Sequence, residues 1–249
     1  MIGLFDSGSG GLSVYKEVRK LLPKEDYAYY SDNAHCPYGE KSRDYIIDRA
    51  RLISGFLIDE GCDIIVVACN TATAAAISTL RSEYSIPFIG MEPAVKPASF
   101  LTRSGIVGVL ATTGTISSTK YLDTRDLYTD KVTFIDQVGQ GFVELVEKGE
   151  LDGKEAEKTV RASVEPLVEA GADVIVLGCT HYPFLRPVIQ RVAGPDITII
   201  DPAPAVARHL AAVMEERNLI KNKDRSENGS LRLFSSGPSD SMERLLPLL

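Results

Sequence analysis

Two short stretches of this chain carry residues able to do chemistry: VVACNTATA, Val66–Ala74, and VLGCTHYP, Val176–Pro183. Each sets a cysteine at the end of an apolar run and follows it with polar residues. A cysteine in such a place serves as buried filler, metal ligand, disulfide half or acid–base group. The choice narrows because Cys69 and Cys179 are a pair. GCDIIVVAC, Gly61–Cys69, and GADVIVLGC, Gly171–Cys179, share one pattern 110 positions apart. Two thiols brought to opposite sides of one carbon suit inversion of a stereocentre, since one removes the α-proton and the other returns a proton from behind. The ordinary thiol pKa of about 8.5 lets one thiolate and one thiol coexist near neutral pH.

Distance separates the alternatives. Two thiols flanking one carbon sit roughly 7 Å apart. A shared zinc draws them to about 4 Å, and a disulfide to about 2.05 Å. Cys179 with His181 hints at a metal, but a third and fourth ligand at sensible spacing are missing, so no metal is expected. The Ala-rich segment after Cys69 reads as a helix whose N-terminus favours a thiolate and a substrate carboxylate. Asp6 offers an acceptor for an ammonium group; Ser7, Asn70, Thr71 and Thr180 offer hydroxyls or an amide; His181 offers a proton relay to Cys179.

These residues need a scaffold that ends strands at one place. Short apolar runs at Ile2–Phe5, Tyr27–Ser31, Ile64–Ala68, Phe88–Met91, Ile106–Leu110, Val132–Ile135, Val174–Gly178 and Ile197–Ile200 read as strands. Amphipathic segments at Leu12–Leu22, Arg43–Glu60, Thr71–Tyr84, Gly141–Lys148 and Lys154–Ala170 read as helices between them. Strands alternating with helical crossovers predict parallel sheets. Further echoes at offsets of 105 to 111, such as Glu92–Val95 with Ala203–Val206, indicate one duplication. The expected fold class is therefore α/β: two similar parallel-sheet domains related by a pseudo-twofold axis, with the active site in the cleft between them. The first domain is expected over 1–95, joined again by a C-terminal tail over 206–249, and the second over 96–205. The tail holds a polar stretch, 221–230, and a strand candidate at Leu231–Phe234. Ligands of such sheets bind beyond the carboxyl ends of the strands, where Asp6, Cys69, Thr112 and Cys179 fall.

The remaining features exclude more than they assign. The 249 residues are 44% hydrophobic and 24% charged, with a net charge of −7, which argues against nucleic acid as the main partner. No apolar run reaches the roughly 20 residues of a membrane helix, and the N-terminus lacks the pattern of a secretion signal, so a cytoplasmic location is expected. The four cysteines form no CxxC pair. Cys36 and Cys62 read as filler; Cys36, beside Pro37-Tyr38-Gly39, has no counterpart in the other half. GSGGLS, Gly8–Ser13, nearly matches a dinucleotide turn, but its third glycine is a serine. It reads as a tight turn that lets a ligand approach Asp6 and Ser7. Glu144, on a helical pattern, reads by itself as a solvated face residue.

Taken together, FDSGSGGLSV (Phe5–Val14), PYGEKS (Pro37–Ser42), ACNTATA (Ala68–Ala74), ATTGTISSTKY (Ala111–Tyr121) and GCTHYP (Gly178–Pro183) resemble the glutamate racemases of the aspartate/glutamate racemase superfamily. The resemblance runs through most of the chain. It implies a cofactor-independent isomerase that interconverts L- and D-glutamate, the latter feeding bacterial peptidoglycan, and a homodimer. It makes Cys69 the base for D-glutamate and Cys179 the base for L-glutamate, with Asp6, Glu144 and His181 as auxiliary acid–base residues. It assigns substrate contacts to Asp6, Ser7, Pro37, Tyr38, Gly39, Asn70, Thr71, Thr113, Thr180 and His181. Asn33 and His35 depart from the family's usual threonine and arginine, beside an intact PYG. Two other readings stay open: a racemase for aspartate or another small acidic amino acid, and a non-catalytic two-lobed binding module, which has no need of paired cysteines.

Overall fold

In the computed structural model, which describes residues 1–222 and 224–249, the chain forms two parallel sheets. Position 223, within the polar stretch 221–230, lies outside the described residues. The first four strands are β1 (Ile2–Asp6), β2 (Tyr27–Ser31), β3 (Ile64–Val67) and β4 (Phe88–Ile89). The next four are β5 (Ile106–Ala111), β6 (Thr133–Val138), β7 (Val174–Gly178) and β8 (Thr198–Ile200), and β9 (Leu231–Ser235) comes last. The sheets run β4-β3-β1-β2-β9 and β6-β5-β7-β8. Reversed, the second order matches the first four strands of the other sheet, so β1 corresponds to β5 and β3 to β7. Every strand pair is parallel. The central strands β1, β3 and β7 are buried along their whole length, which is why they read as unbroken apolar runs.

The helices are α1 (Leu12–Leu21), α2 (Arg43–Asp59), α3 (Asn70–Glu83), α4 (Val95–Leu101), α5 (Thr113–Ile116) and α6 (Thr119–Asp126). They continue as α7 (Phe142–Lys148), α8 (Lys154–Glu169), α9 (Arg186–Ala193), α10 (Ala203–Glu216) and α11 (Asp240–Leu245). Helices α4, α5, α6 and α9 have no clear sequence signature: α5 is one turn long, α4 and α9 contain proline, and α6 is polar on most sides. The strand expected to reach Met91 stops at Ile89 because the Met91 N–H turns to the Thr73 hydroxyl, 2.9 Å away.

After β8 the chain goes back to the first sheet. Helix α10 packs along α1, and β9 pairs with β2 from Tyr27↔Leu231 to Ser31↔Ser235. One core cluster joins the halves, with Ile2, Leu4 and Tyr29 from one side and Leu110, Phe142, Leu177 and Tyr182 from the other. This shared apolar seam fixes how the two sets of strand ends face each other. Among the described residues no helix is long and apolar enough to cross a membrane.

Candidate active site

Cys69 follows β3 as the N-cap of α3. Its backbone is extended, and its Sγ accepts the Ala72 N–H at 3.4 Å, so the sulfur sits at the positive end of a 14-residue helix. The sulfur also lies 3.9 Å from the Ser7 hydroxyl, which comes from the end of β1. The helix does not win the electrostatic contest. Burial, and then the Asp6 carboxylate, push the Cys69 thiol well above its ordinary value against the pull of Ala72. The helix end alone predicts the opposite direction. At this sulfur the proton is held.

Asp6 stands behind Ser7 rather than in the cavity. Its Oδ1 accepts the Ser7 N–H at 2.8 Å, and its Oδ2 accepts the Gly11 N–H at 2.7 Å and the Thr180 hydroxyl at 3.2 Å. Both oxygens are thus engaged by the protein, which differs from the expected role of receiving an ammonium group. Burial raises the Asp6 carboxyl, opposed most strongly by the charge of His181. Asp6 is therefore a buried partner of Cys69 whose carboxyl is held above its ordinary range.

Cys179 follows β7, and its Sγ lies 3.7 Å from His181 Nδ1. His181 is buried, and its Nε2 meets Glu147 Oε1 at 2.7 Å. Burial by itself lowers the imidazole pKa, but the bonds to Cys179, Cys36 and Glu147 outweigh it and raise it well above its ordinary value. Glu147 is the reciprocal case. Burial by itself raises its carboxyl, yet the bond and charge of His181 and the Ser9 N–H, 2.6 Å away, bring it down to about 2. A carboxylate, an imidazolium and a sulfur are thus aligned.

The glycines of GSGGLS make this alignment possible. A methyl group on Gly10 would sit 2.3 Å from His181 Nδ1, and one on Gly8 would sit 2.3 Å from Glu147 Oε1. The turn resembles a phosphate cradle in sequence, but the space over it is filled by these two side chains from the second half of the chain.

Cys69 and Cys179 line one small cavity, one residue from the end of a strand in each sheet. Ser7, Pro37, Tyr38, Gly39, Asn70, Thr71, Thr180 and His181 complete most of its wall, all of them expected. Thr112, at a strand end where ligands were expected to bind, also lines it, as does Val143, which was not expected. The expected Thr113 and Glu144 instead border an adjoining recess that shares Pro37, Gly39, Thr112 and Val143. Thr112 caps α5 and places its hydroxyl 2.8 Å from that of Thr71, whereas Glu144 is exposed, one turn before Glu147 on α7. Nothing in the local sequence distinguishes the two glutamates; only Ser9 and His181, distant in the chain, do.

The loop over the cavity is anchored away from it. The Tyr38 hydroxyl donates to Asp32 Oδ2 at 2.5 Å, and Arg49 grips the same carboxylate with two bonds of 2.9 and 2.7 Å. By contrast, the Asn70 side-chain amide is buried with neither its oxygen nor its nitrogen partnered among the described residues. A buried amide left unpaired costs about 1–3 kcal/mol, so an orphan aimed at a cavity points to a ligand with both donors and acceptors.

Residues 2–210 match the family model for Asp/Glu/hydantoin racemases. The glutamate racemase of Stutzerimonas stutzeri is 47% identical over 249 residues, covering all of this chain and 93% of that protein. Among solved structures, glutamate racemase isoform RacE1 of Bacillus anthracis superposes with a TM-score of 0.88 at 32% identity, over 100% of this chain and 92% of that one. Escherichia coli glutamate racemase, in complex with L-glutamate and the activator UDP-MurNAc-ala, superposes with a TM-score of 0.85 at 33% identity, over 99% and 93%. The fold, the duplicated strand order and these full-length likenesses agree: the chain belongs to the Asp/Glu/hydantoin racemase family, among its glutamate racemases.

Proposed function

We propose that the chain interconverts L- and D-glutamate by two-base proton transfer between Cys69 and Cys179. The observation that carries this reading is that both cysteines line the same small cavity, each following a strand of a different sheet. In the L-to-D direction the Cys179 thiolate takes the α-proton, and the Cys69 thiol delivers its own proton to the opposite face. The products are D-glutamate, a Cys179 thiol and a Cys69 thiolate; the D-to-L direction runs the same steps backwards. The His181 ring stands 3.7 Å from the Cys179 sulfur, placed to exchange a proton with it, with Glu147 holding the ring. Asp6 serves Cys69, which retains its proton until the carbanion needs it. The unpaired Asn70 amide and the N-terminus of α3 receive the substrate carboxylate and ammonium groups. The glutamate held by the Escherichia coli relative supports glutamate as substrate here.

The reading includes a division of the chain into 1–95 with 206–249, and 96–205. The packing of α4 on β5 and β7, and of α10 on α1, supports it. It also includes a homodimer in the cytoplasm whose D-glutamate enters peptidoglycan synthesis. The exposed Phe100, Leu101 and Leu127 provide apolar surface for pairing, which sedimentation equilibrium tests.

The test of the chemistry is α-proton exchange in deuterated water with no cofactor added. Wild type should incorporate deuterium into product from either enantiomer, and Cys69→Ser and Cys179→Ser should each lose racemisation. Racemisation at the wild-type rate in either variant would remove the mechanism.

A further inference from the structure

Cys36, read from sequence as filler, lies in the loop between the one-turn helices Asn33–His35 and Tyr38–Glu40. Its thiol is partly buried against the back of the His181–Glu147 pair. A sulfur of Cys36, a carboxylate oxygen of Glu147 and a ring nitrogen of His181 all lie within 4.8 Å of one another. The three come from separate segments: the loop after β2, helix α7 and the turn after β7. Gly8 opens the space they share, since a methyl group there would stand 3.0 Å from Cys36 Sγ as well as 2.3 Å from Glu147 Oε1.

We propose that Cys36, Glu147 and His181 form a binding site for a zinc-class divalent cation, and that filling it stops racemisation. Thiolate, imidazole and carboxylate are the three donor types zinc accepts, in a set that leaves a fourth position for water. The thiolate and carboxylate together balance the charge of a divalent ion. A sulfur and a nitrogen among three donors select zinc over magnesium or calcium, which require oxygen. With bonds of about 2.0–2.3 Å, tetrahedral zinc needs its donors roughly 3.3–3.8 Å apart. The most separated pair, within 4.8 Å, has to close by about 1 Å, while His181 Nε2 and Glu147 Oε1, now 2.7 Å apart, have to open by about 0.6 Å as the ion replaces the hydrogen bond between them. The inhibitory half rests on the function proposed above. A bound ion takes the imidazole and the carboxylate that stand behind Cys179, so His181 can no longer exchange a proton with that sulfur. The ion is an inhibitor and has no part in turnover.

The test uses the full chain, zinc chloride and two measurements, one of them independent of activity. X-ray absorption at the zinc edge, with equilibrium dialysis, should give one zinc per chain in a first shell of one sulfur and otherwise nitrogen and oxygen. Cys36→Ala should bind zinc at least about tenfold more weakly, as expected for loss of one of three protein ligands. Its racemisation, relative to its own zinc-free rate, should need correspondingly more zinc to stop. A two-sulfur shell would assign the ion to the Cys69–Cys179 pair and overturn the proposal. So would undiminished affinity in Cys36→Ala, or no binding to the wild type. Zinc bound as described without loss of turnover would refute the inhibitory half. A chain that never racemises glutamate would refute the functional reading, while the absorption spectrum would still decide the site.

Discussion

Gly10→Ala is a one-carbon change, and its consequence can be worked out from the contact of the turn with His181. The added methyl group would lie 2.3 Å from Nδ1, 2.6 Å from Cγ and 2.7 Å from Cε1 of the imidazole. Ordinary contact begins near 3.4 Å, so the ring has to retreat by about 1.1 Å. Gly10 does not hold a positive φ, so alanine meets no backbone penalty and the effect is the collision alone. The ring cannot retreat freely, because Glu147 holds its far nitrogen at 2.7 Å and Cys179 lies 3.7 Å from the near one. Overpacking of this kind costs about 1–3 kcal/mol of stability, while a catalytic group displaced by 1 Å loses on the order of a hundredfold in rate. We expect kcat to fall about a hundredfold with KM changed far less. Gly55→Ala provides the control: its methyl group meets nothing within 4 Å on a helix, so activity should be wild-type and stability about 0.5–1 kcal/mol higher. The assay is circular dichroism of glutamate in both directions, with thermal unfolding of each variant. A folded Gly10→Ala protein with kcat within twofold of wild type would show that His181 placement is unimportant.

Two further expectations follow from the same geometry. Asn70→Ala removes a buried amide that has no protein partner, so the unfolding midpoint should hold or rise while KM increases at least about tenfold; a marked loss of stability with unchanged KM would refute a role in binding. Asp173 accepts from Thr102, Ser104 and the backbone of Arg103, which hold its carboxyl at about 2 despite some burial. A depressed carboxyl stabilises the fold above its unfolded value near 3.9, and that contribution is lost as pH falls toward 2. Asp173→Asn should therefore unfold with a flatter pH dependence between about 4 and 2, and an unchanged acid slope in urea titrations would remove the assignment.

The strands were legible because parallel strands covered on both faces leave unbroken apolar runs, and the duplication exposed Cys69 and Cys179 together. The walls of the cavity near those cysteines were legible for the same reason, since each follows a strand. Other features depend on contacts between distant segments. Glu147 differs from Glu144 only by facing Ser9 and His181 across the cleft. Thr112 differs from Thr113 by capping a one-turn helix that has no sequence pattern. Asp6 appeared free to meet a ligand, yet Gly11 and Thr180 claim it. The effect of the helix on Cys69 was overestimated because burial depth is not written in local sequence. Cys36 looked inert because its partners, 111 and 145 positions away, are invisible to spacing rules.

The two walls of the cleft are chemically unequal, with a buried carboxyl behind one sulfur and an imidazolium–carboxylate couple behind the other. Enantiomers dissolved in water have the same free energy, so the ratio kcat/KM must come out identical for forward and reverse turnover whatever the walls contain. Lopsided chemistry can therefore only exchange grip for speed: the antipode held more tightly must be turned over more slowly, in strict proportion.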